Sequence, residues 1–209
     1  MSIQQAYNKW SDSYDTDRNL TRDLDQIVTQ QVLANLQFNS ILEVGCGTGK
    51  NTSFYAQIGK KVHAVDFSQG MIDKAKEKVK AEHVTFSIMD ITKKWSFDAD
   101  SFDLIVCNLV LEHIGDISFV FSEASRVLES NGRFFINELH PFRQYNGKKA
   151  RYQKDGEELE VEAFVHHISE FLRAATNHGL SLVKLDEYWH REDQNQPPRI
   201  VSFLFETVN

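Results

Sequence analysis

The stretch ILEVGCGTGK, Ile41 to Lys50, decides how the rest of the chain is read. An apolar run enters three glycines at alternate positions, Gly45, Gly47 and Gly49, and an acid, Glu43, stands two residues ahead of the first. A short, largely apolar run fits a strand covered on both faces. Glycine directly after it reaches backbone conformations closed to other residues, and it lets a ligand approach where a Cβ would intrude. Strand, tight turn and helix in that order place a ligand at the carboxyl end of a sheet, with the freed backbone amides as its expected partners. A dinucleotide fingerprint spaces its glycines G-x-G-x-x-G. Here the spacing is G-x-G-x-G and Lys50 stands where the third fingerprint glycine would fall, so a pyrophosphate need not be the cargo.

Working outward, apolar runs alternate with helical patterns. Residues 40–44, 61–66, 84–89, 102–108 and 132–138 read as strands. Between them, 68–81 carries a serine N-cap at Ser68 and a lysine-rich face, and 117–132 spaces Phe119, Ala124, Val127 and Leu128 for an inner face. Strand–helix alternation of this kind predicts a parallel sheet with right-handed crossovers. The carboxyl-terminal part changes style. A helix is expected over 162–179, ending at Gly179; then 180–190 and 199–208 read as two long strands joined by a polar loop, which must pair antiparallel for want of a helix between them. Residues 139–163 break the periodicity, carry the hairpin signal Asp155-Gly156, and are too long for a plain connector, which predicts a substrate-side insertion. Two helices are expected in the first forty residues.

Three further polar groups fall at successive strand ends. Asp66 ends the second strand, seventeen residues after Gly49, where an acid can accept both hydroxyls of a ribose. Asp90 and Ile91 end the third, an acid and an aliphatic suited to the edge and face of an adenine. Asn108 ends the fourth. Together with the glycine loop they converge on one crevice.

With these motifs in place, the chain resembles the class I S-adenosylmethionine (SAM) dependent methyltransferases, small-molecule type, near the ubiquinone/menaquinone methyltransferase group (methyltransferase type 11). The resemblance covers residues 38–138 and, more loosely, the N-terminal YNKWSDSYD. It implies an α/β, Rossmann-like seven-stranded sheet, mostly parallel with an antiparallel final strand in the order 3-2-1-4-5-7-6, and helices on both faces. It implies SAM as cofactor and S-adenosylhomocysteine as product. Gly45, Cys46, Gly47 and Gly49 would lie against the amino-acid and ribose portions, and Glu43 would orient the loop and the methionine ammonium. Asp66 would hold the ribose, and Phe67 and Met71 would pack near the adenine, with Asp90 and Ile91 at its edge. Asn108, with Leu109 beside it, would present a backbone carbonyl to the ammonium. Tyr14, with Tyr7 and Trp10, would fold over the cofactor.

Plainer readings stand beside these. Asp66 can cap the next helix, Asp90 can simply turn the chain, and Cys46 can be a small loop filler. The spacing of Tyr7, Trp10 and Tyr14 is also that of helix packing. Two histidines, His113 after the fourth strand and His140 after the fifth, sit where a general base would be useful, and each can equally brace a loop. His166 and His167 are adjacent and point about 100° apart on a helix, so no metal site is expected.

Composition limits the function classes. With 41% hydrophobic and 25% charged residues the chain is globular, and its 209 residues fit one domain. That domain would be 1–209, divided into an N-terminal helical cap (1–38), a cofactor-binding core (39–138), the insertion (139–163) and a C-terminal helix and hairpin (164–209). A net charge of −7 argues against a nucleic-acid partner. Two cysteines, Cys46 and Cys107, give no disulfide framework, and no apolar leader or membrane-length run is seen, so a cytoplasmic protein is expected. The expected activity is methyl transfer to an O, N or C nucleophile on a small molecule, by a monomer or homodimer. The alternatives are a nucleotide-dependent oxidoreductase on the same fold and a non-catalytic SAM-binding module.

Overall fold

A computed structural model describes residues 3–11, 14–147, 151–154, 157–160 and 162–208; for 151–154 and 157–160 it describes the backbone alone. The main sheet is built from β1 (Ile41–Val44), β2 (Val62–Asp66), β3 (Val84–Ile88), β4 (Phe102–Asn108), β5 (Leu128–Leu139), β8 (Leu180–Tyr188) and β9 (Ile200–Thr207). Its order is β3-β2-β1-β4-β5-β9-β8. The first five strands in that order are parallel, and β9 alone runs against its two neighbours, β5 and β8. Numbered within this sheet alone, that is the order 3-2-1-4-5-7-6, the Rossmann-like sheet expected from the sequence.

Strand alternation sorts side chains to the two faces. Leu42, Val44, Ile105, Cys107, Phe134, Ile136, Phe203 and Phe205 form one buried layer with α5 (Ile117–Val127) and α7 (Ile168–Asn177). Ile41, Leu104, Val106, Phe135 and Leu204 face the other way, toward Leu33 of α2 (Leu20–Leu33) and Phe54, Tyr55 and Ile58 of α3 (Thr52–Ile58). On that side α4 (Gln69–Lys78) adds Ile72 and Ala75 against Ala64. Ser68 caps α4, its hydroxyl accepting from the Met71 amide at 3.2 Å.

Some boundaries differ from the sequence reading. The helix expected over 162–179 begins only at Ile168, because the backbone ahead of it is spent elsewhere: the Phe164 amide donates to the Glu112 carbonyl at 2.7 Å. β5 starts at Leu128, with Asn131 in the left-handed region (φ 62°) shortly before Gly132. Between β5 and α7 lie a short helix α6 (Pro141–Tyr145) and a two-stranded hairpin, β6 (Arg151–Lys154) with β7 (Glu157–Glu160). The turn at Asp155-Gly156 lies outside the described residues. The remaining helix, α1 (Ile3–Trp10), packs on α4 over the carboxyl ends of the strands: Asn8 Oδ1 accepts from the Ser68 hydroxyl at 2.6 Å and the Gly70 amide at 3.2 Å.

Candidate active site

The glycine loop leaves β1 in a conformation that side chains rarely adopt. Gly45 has φ 76°, and a Cβ there would sit 2.2 Å from Val110 Cγ2. Gly47 has φ 51° and open space where a Cβ would go. Gly45 is therefore required by packing, and Gly47 by backbone conformation at the wall of a crevice. Gly49 faces Ala75 of α4, not the crevice. The amides are not free, contrary to expectation. Those of Gly45 and Cys46 both donate to the Val65 carbonyl (2.8 and 2.9 Å), Gly47 donates to Asp66 Oδ2 (2.9 Å), and Gly49 donates to the Cys46 carbonyl (2.9 Å). The loop is a turn stapled to β2, and what it offers a ligand is closeness of backbone more than donors.

Along the strand ends opens a cavity of about 480 Å³. Gly45, Gly47, Asp66, Phe67, Asp90, Ile91, Asn108, Leu109 and Tyr14 all line it, so the structure brings together at one crevice nine of the residues singled out in the sequence. Met89, Val110 and Ile114 add apolar wall. Met71 does not line it: it is fully buried in the first turn of α4, and the methionine on the crevice wall is Met89. Glu43 and Cys46 lie instead on a small adjoining cavity of about 50 Å³, with Asp25, Arg22, Lys50 and Asn51; Gly45, Gly47, Asn108, Leu109 and Tyr14 are common to both. Cys46 also packs on Ala64, Ile72 and Ala75, and burial pushes its thiol up.

The carboxylates around the loop are buried and short of cations. Glu43 accepts from the Thr52 hydroxyl at 2.5 Å; burial first, then the nearby acids Asp25 and Asp66, raises its carboxyl to about 8 against that hydrogen bond. Asp66 accepts from the amides of Gly47 and Ser68, both at 2.9 Å, yet burial still raises it to about 6. Asp25, missed by the sequence reading, accepts from the side-chain amides of Asn51 (2.8 Å), Asn108 (2.5 Å) and Asn137 (2.9 Å) and is likewise raised by burial. The available signal was an acid and Thr29, four residues apart, on the apolar face of α2. Asn51 Oδ1 is buried with no hydrogen-bond partner among the described residues. The arrangement gathers carboxyl groups and an unpartnered carbonyl oxygen, acceptors suited to a cation with N–H donors, whose binding would favour the ionised carboxylates.

Asn108 thus spends its side chain on Asp25, Thr29 and the Tyr55 hydroxyl, and only its backbone is left for a ligand. Leu109 after it is left-handed (φ 56°), held by its amide's hydrogen bond to the Asn137 carbonyl at 2.8 Å. A non-glycine residue in that region stores about 1 kcal/mol or more, and such strain gathers at functional sites. Asp90 turns the chain: its Oδ1 accepts from the Thr92 amide and hydroxyl, and Lys93 pairs with its Oδ2 at 2.8 Å. Burial alone would raise that carboxyl, but Lys93 and Thr92 together hold it below its ordinary value.

The two histidines part company. His113 lines the crevice. Its Nδ1 lies 2.8 Å from the Glu162 carbonyl, which can only accept, so Nδ1 carries the proton and Nε2 accepts from the Tyr7 hydroxyl at 2.8 Å. It ties α1 and the segment after β7 together across the opening. His140 lines neither cavity. It is the N-cap of α6: Nδ1 accepts from the Phe142 amide at 3.1 Å and Nε2 donates to Glu187 at 2.8 Å, with the side chain 3% exposed. Pro141 starts the helix at once, and the cap turns the imidazole back onto it, away from the strand ends. Both nitrogens are spent, so a base role for His140 is not what the geometry offers.

Tyr7, Tyr14 and Leu109 divide the crevice from a third cavity of about 330 Å³, walled by α1, the residues leading into α2, and the ends of β4 and β5. Trp10 is buried with Ala6, so the aromatic trio of the N-terminal segment serves packing and lining at once. The segment is also pinned by charge: Asp15 accepts from Thr48 of the glycine loop and pairs with Lys78, both at 2.7 Å.

Residues 42–136 match the family model described as "Methyltransferase domain". Over that stretch the chain is similar to methyltransferases. It is 30% identical over 132 residues to the malonyl-[acyl-carrier protein] O-methyltransferase of Salmonella typhimurium, covering 63% of this chain and 51% of that protein. It is 28% identical over 122 residues to the ubiquinone biosynthesis O-methyltransferase of Pelagibacter ubique, covering 58% and 50%. The chain spans about half the length, or less, of the curated relatives it matches. Among solved structures, the N-methyltransferase NodS of Bradyrhizobium japonicum in complex with S-adenosyl-L-homocysteine superposes with a TM-score of 0.75 over the full length of both chains at 17% identity. An S-adenosylmethionine-dependent methyltransferase of Clostridium acetobutylicum gives 0.73 at 20% identity, covering 98% and 100%. The chain shares its fold with both. No helix among the described residues is long and apolar enough to cross a membrane.

Proposed function

We propose that the protein transfers the methyl group of SAM to a small-molecule acceptor and releases S-adenosylhomocysteine. The observation that carries this reading is the continuity of three cavities around Leu109 and Tyr14, each with the lining its occupant would need. The crevice has an acid for a ribose at Asp66 and apolar wall for a base at Phe67, Met89 and Ile91. The small cavity has Glu43, Asp25 and the unpartnered Asn51 Oδ1 for an ammonium, with Arg22 and Lys50 for a carboxylate. The third cavity is left for the acceptor.

When bound, SAM supplies a sulfonium-activated methyl that passes to a lone pair of the acceptor, the carbon–sulfur bond breaking and its electron pair remaining on sulfur. The chain's part is to bind, orient and exclude water. Holding the nucleophile in place accounts for much of the acceleration, so a dedicated base is not required. Tyr7, Tyr14 and the His113 tie close the outer side of the crevice. Glu138, buried and raised by that burial to about 8, fixes the turn after β4 by accepting from the amides of Val110 and Leu111 at 2.9 and 2.7 Å.

The relatives named for malonyl-[acyl-carrier protein] and for ubiquinone biosynthesis favour a metabolite acceptor, free or carried on a protein, over a nucleic acid. A third cavity separate from the cofactor crevice favours an enzyme over a binding module, and the G-x-G-x-G spacing disfavours a dinucleotide. Calorimetry tests this reading: SAM and S-adenosylhomocysteine should bind in the micromolar range, about −8 kcal/mol. Heat with NAD and none with either SAM ligand would end it.

A further inference from the structure

The third cavity is lined by four arginines, Arg18, Arg22, Arg143 and Arg199, and by one acid, Glu112. The compensating charges behind it are few. Arg199 makes a two-pronged hydrogen bond to Asp193, with Nε on Oδ2 at 2.7 Å and Nη2 on Oδ1, and its Nη1 reaches Thr21 at 3.1 Å. Arg143 leans on the same carboxylate: Nη2 lies 3.0 Å from Asp193 Oδ1 but makes no aligned hydrogen bond there, and Nε makes only a long one, 3.4 Å, to the Pro198 carbonyl. A buried guanidinium, Arg143, and a partly exposed one, Arg199, therefore share one buried carboxylate, and Arg143 is the poorly satisfied one. Arg22 has carbonyls for partners, those of Tyr14 and Asp17, and lies over the rings of Tyr14 (4.0 Å) and Trp10 (5.5 Å); no carboxylate pairs with it among the described residues. Arg18 pairs with Glu192 at the exposed rim. Burial keeps the Glu112 carboxyl above its ordinary value, which weakens the one acid facing the space.

A buried guanidinium without a matched acceptor costs several kcal/mol unless something supplies one, and arginine is the side chain best shaped for a carboxylate or other oxyanion. Leu20, Leu109, Leu139 and the rings of Tyr7, Trp10 and Tyr14 give the wall its apolar part, beside the polar Asn19 and Thr21. Building on the methyl-transfer reading, we infer that the acceptor is a small acid: an apolar or aromatic body seated between Leu109 and Leu139, with a carboxylate held by Arg143 beside Arg199. The sulfonium of the bound methyl donor adds a second attraction for an anion entering this space. Arg22 also lines the small cavity and is shared with the methionine end of the cofactor, so Arg143 is the residue that distinguishes acceptor from cofactor.

The test uses the full chain loaded with S-adenosylhomocysteine, and matched pairs of aromatic fragment acids with their carboxamides, titrated by ligand-observed NMR. The acids should bind at least about tenfold tighter than their amides, and Arg143→Gln should erase that difference while leaving the affinity for S-adenosylhomocysteine within about twofold. Arg199 keeps its hold on Asp193 in this variant, so the fold is expected to survive. The comparison on unsubstituted protein needs no variant and decides even if it does not. Equal binding of acids and amides, or an acid preference that persists in Arg143→Gln, overturns the inference. Failure of S-adenosylhomocysteine itself to bind overturns the methyl-transfer reading first, and the inference with it; the two failures are read on different ligands.

Discussion

Asp66→Asn separates recognition from stability, because the two respond with different signs. In the free protein the carboxyl is held at about 6 by burial, against an ordinary value of 3.8, so at pH 8 its ionised form costs the fold ~3 kcal/mol relative to a neutral side chain of the same shape. Asparagine removes that cost. It keeps one acceptor oxygen for the Gly47 or Ser68 amide and turns an NH₂ toward the other, which costs about 1–3 kcal/mol. The two contributions nearly cancel, and the thermal midpoint without ligand should move by only a few degrees. Ligand affinity should not be spared. Two charge-assisted hydrogen bonds to a ribose diol are lost or weakened, about 2–4 kcal/mol, or roughly 30- to 1,000-fold. Calorimetry with S-adenosylhomocysteine at pH 8, beside thermal unfolding of the free protein, reads both. Unsubstituted affinity together with a large loss of stability would refute the assignment and leave Asp66 as a staple for the glycine loop and nothing more.

Cation binding beside Glu43 and Asp66 should release protons, since both are held partly neutral, at about 8 and about 6, until a positive ligand favours the carboxylate. Affinity for SAM should therefore climb between pH 6 and 8, with a binding heat that depends on buffer ionisation; a flat profile would count against an ammonium near Glu43. By the same sign the free protein should lose stability as pH rises through that range, because a raised carboxyl favours the fold only while it is protonated. Gly45→Ala drives a Cβ to within 2.2 Å of Val110 and should cost about 2–4 kcal/mol of stability, whereas Gly47→Ala meets no atom and should cost about 1–2 kcal/mol while narrowing the crevice; equal costs would show that packing does not tell them apart. His140→Ala should cost about 1 kcal/mol in thermal stability, as loss of an N-cap does, with affinity for S-adenosylhomocysteine unchanged. A hundredfold fall in turnover without loss of stability would restore it as a base.

The sheet was legible because its strands are short apolar runs punctuated by glycine and by polar residues at their ends, and the pairing of β8 with β9 followed from the lack of a helix between them. The convergence of Gly47, Asp66, Ile91 and Asn108 was legible for the same reason: a parallel sheet delivers every strand end to one edge. Less visible was anything set by side-chain competition. The loop amides looked free in the sequence, yet β2 and Asp66 claim them. Asp25 looked like an ordinary helix acid, because only the fold brings Asn51, Asn108 and Asn137 to it from three other segments. His140 looked well placed by position along the chain, but the rotamer of an N-cap turned it away. The arginines of the third cavity come from α2 and the residues leading into it, α6 and the start of β9, and no spacing in the sequence announces that meeting.

The most direct measurement is a crystal structure with S-adenosylhomocysteine bound. Adenine should lie against Phe67, Met89 and Ile91, the ribose on Asp66, the ammonium near Glu43 and Asp25, and the sulfur should face the arginine-lined cavity past Leu109 and Tyr14. A ligand seated outside the crevice, or one whose sulfur faces away from that cavity, would contradict this placement.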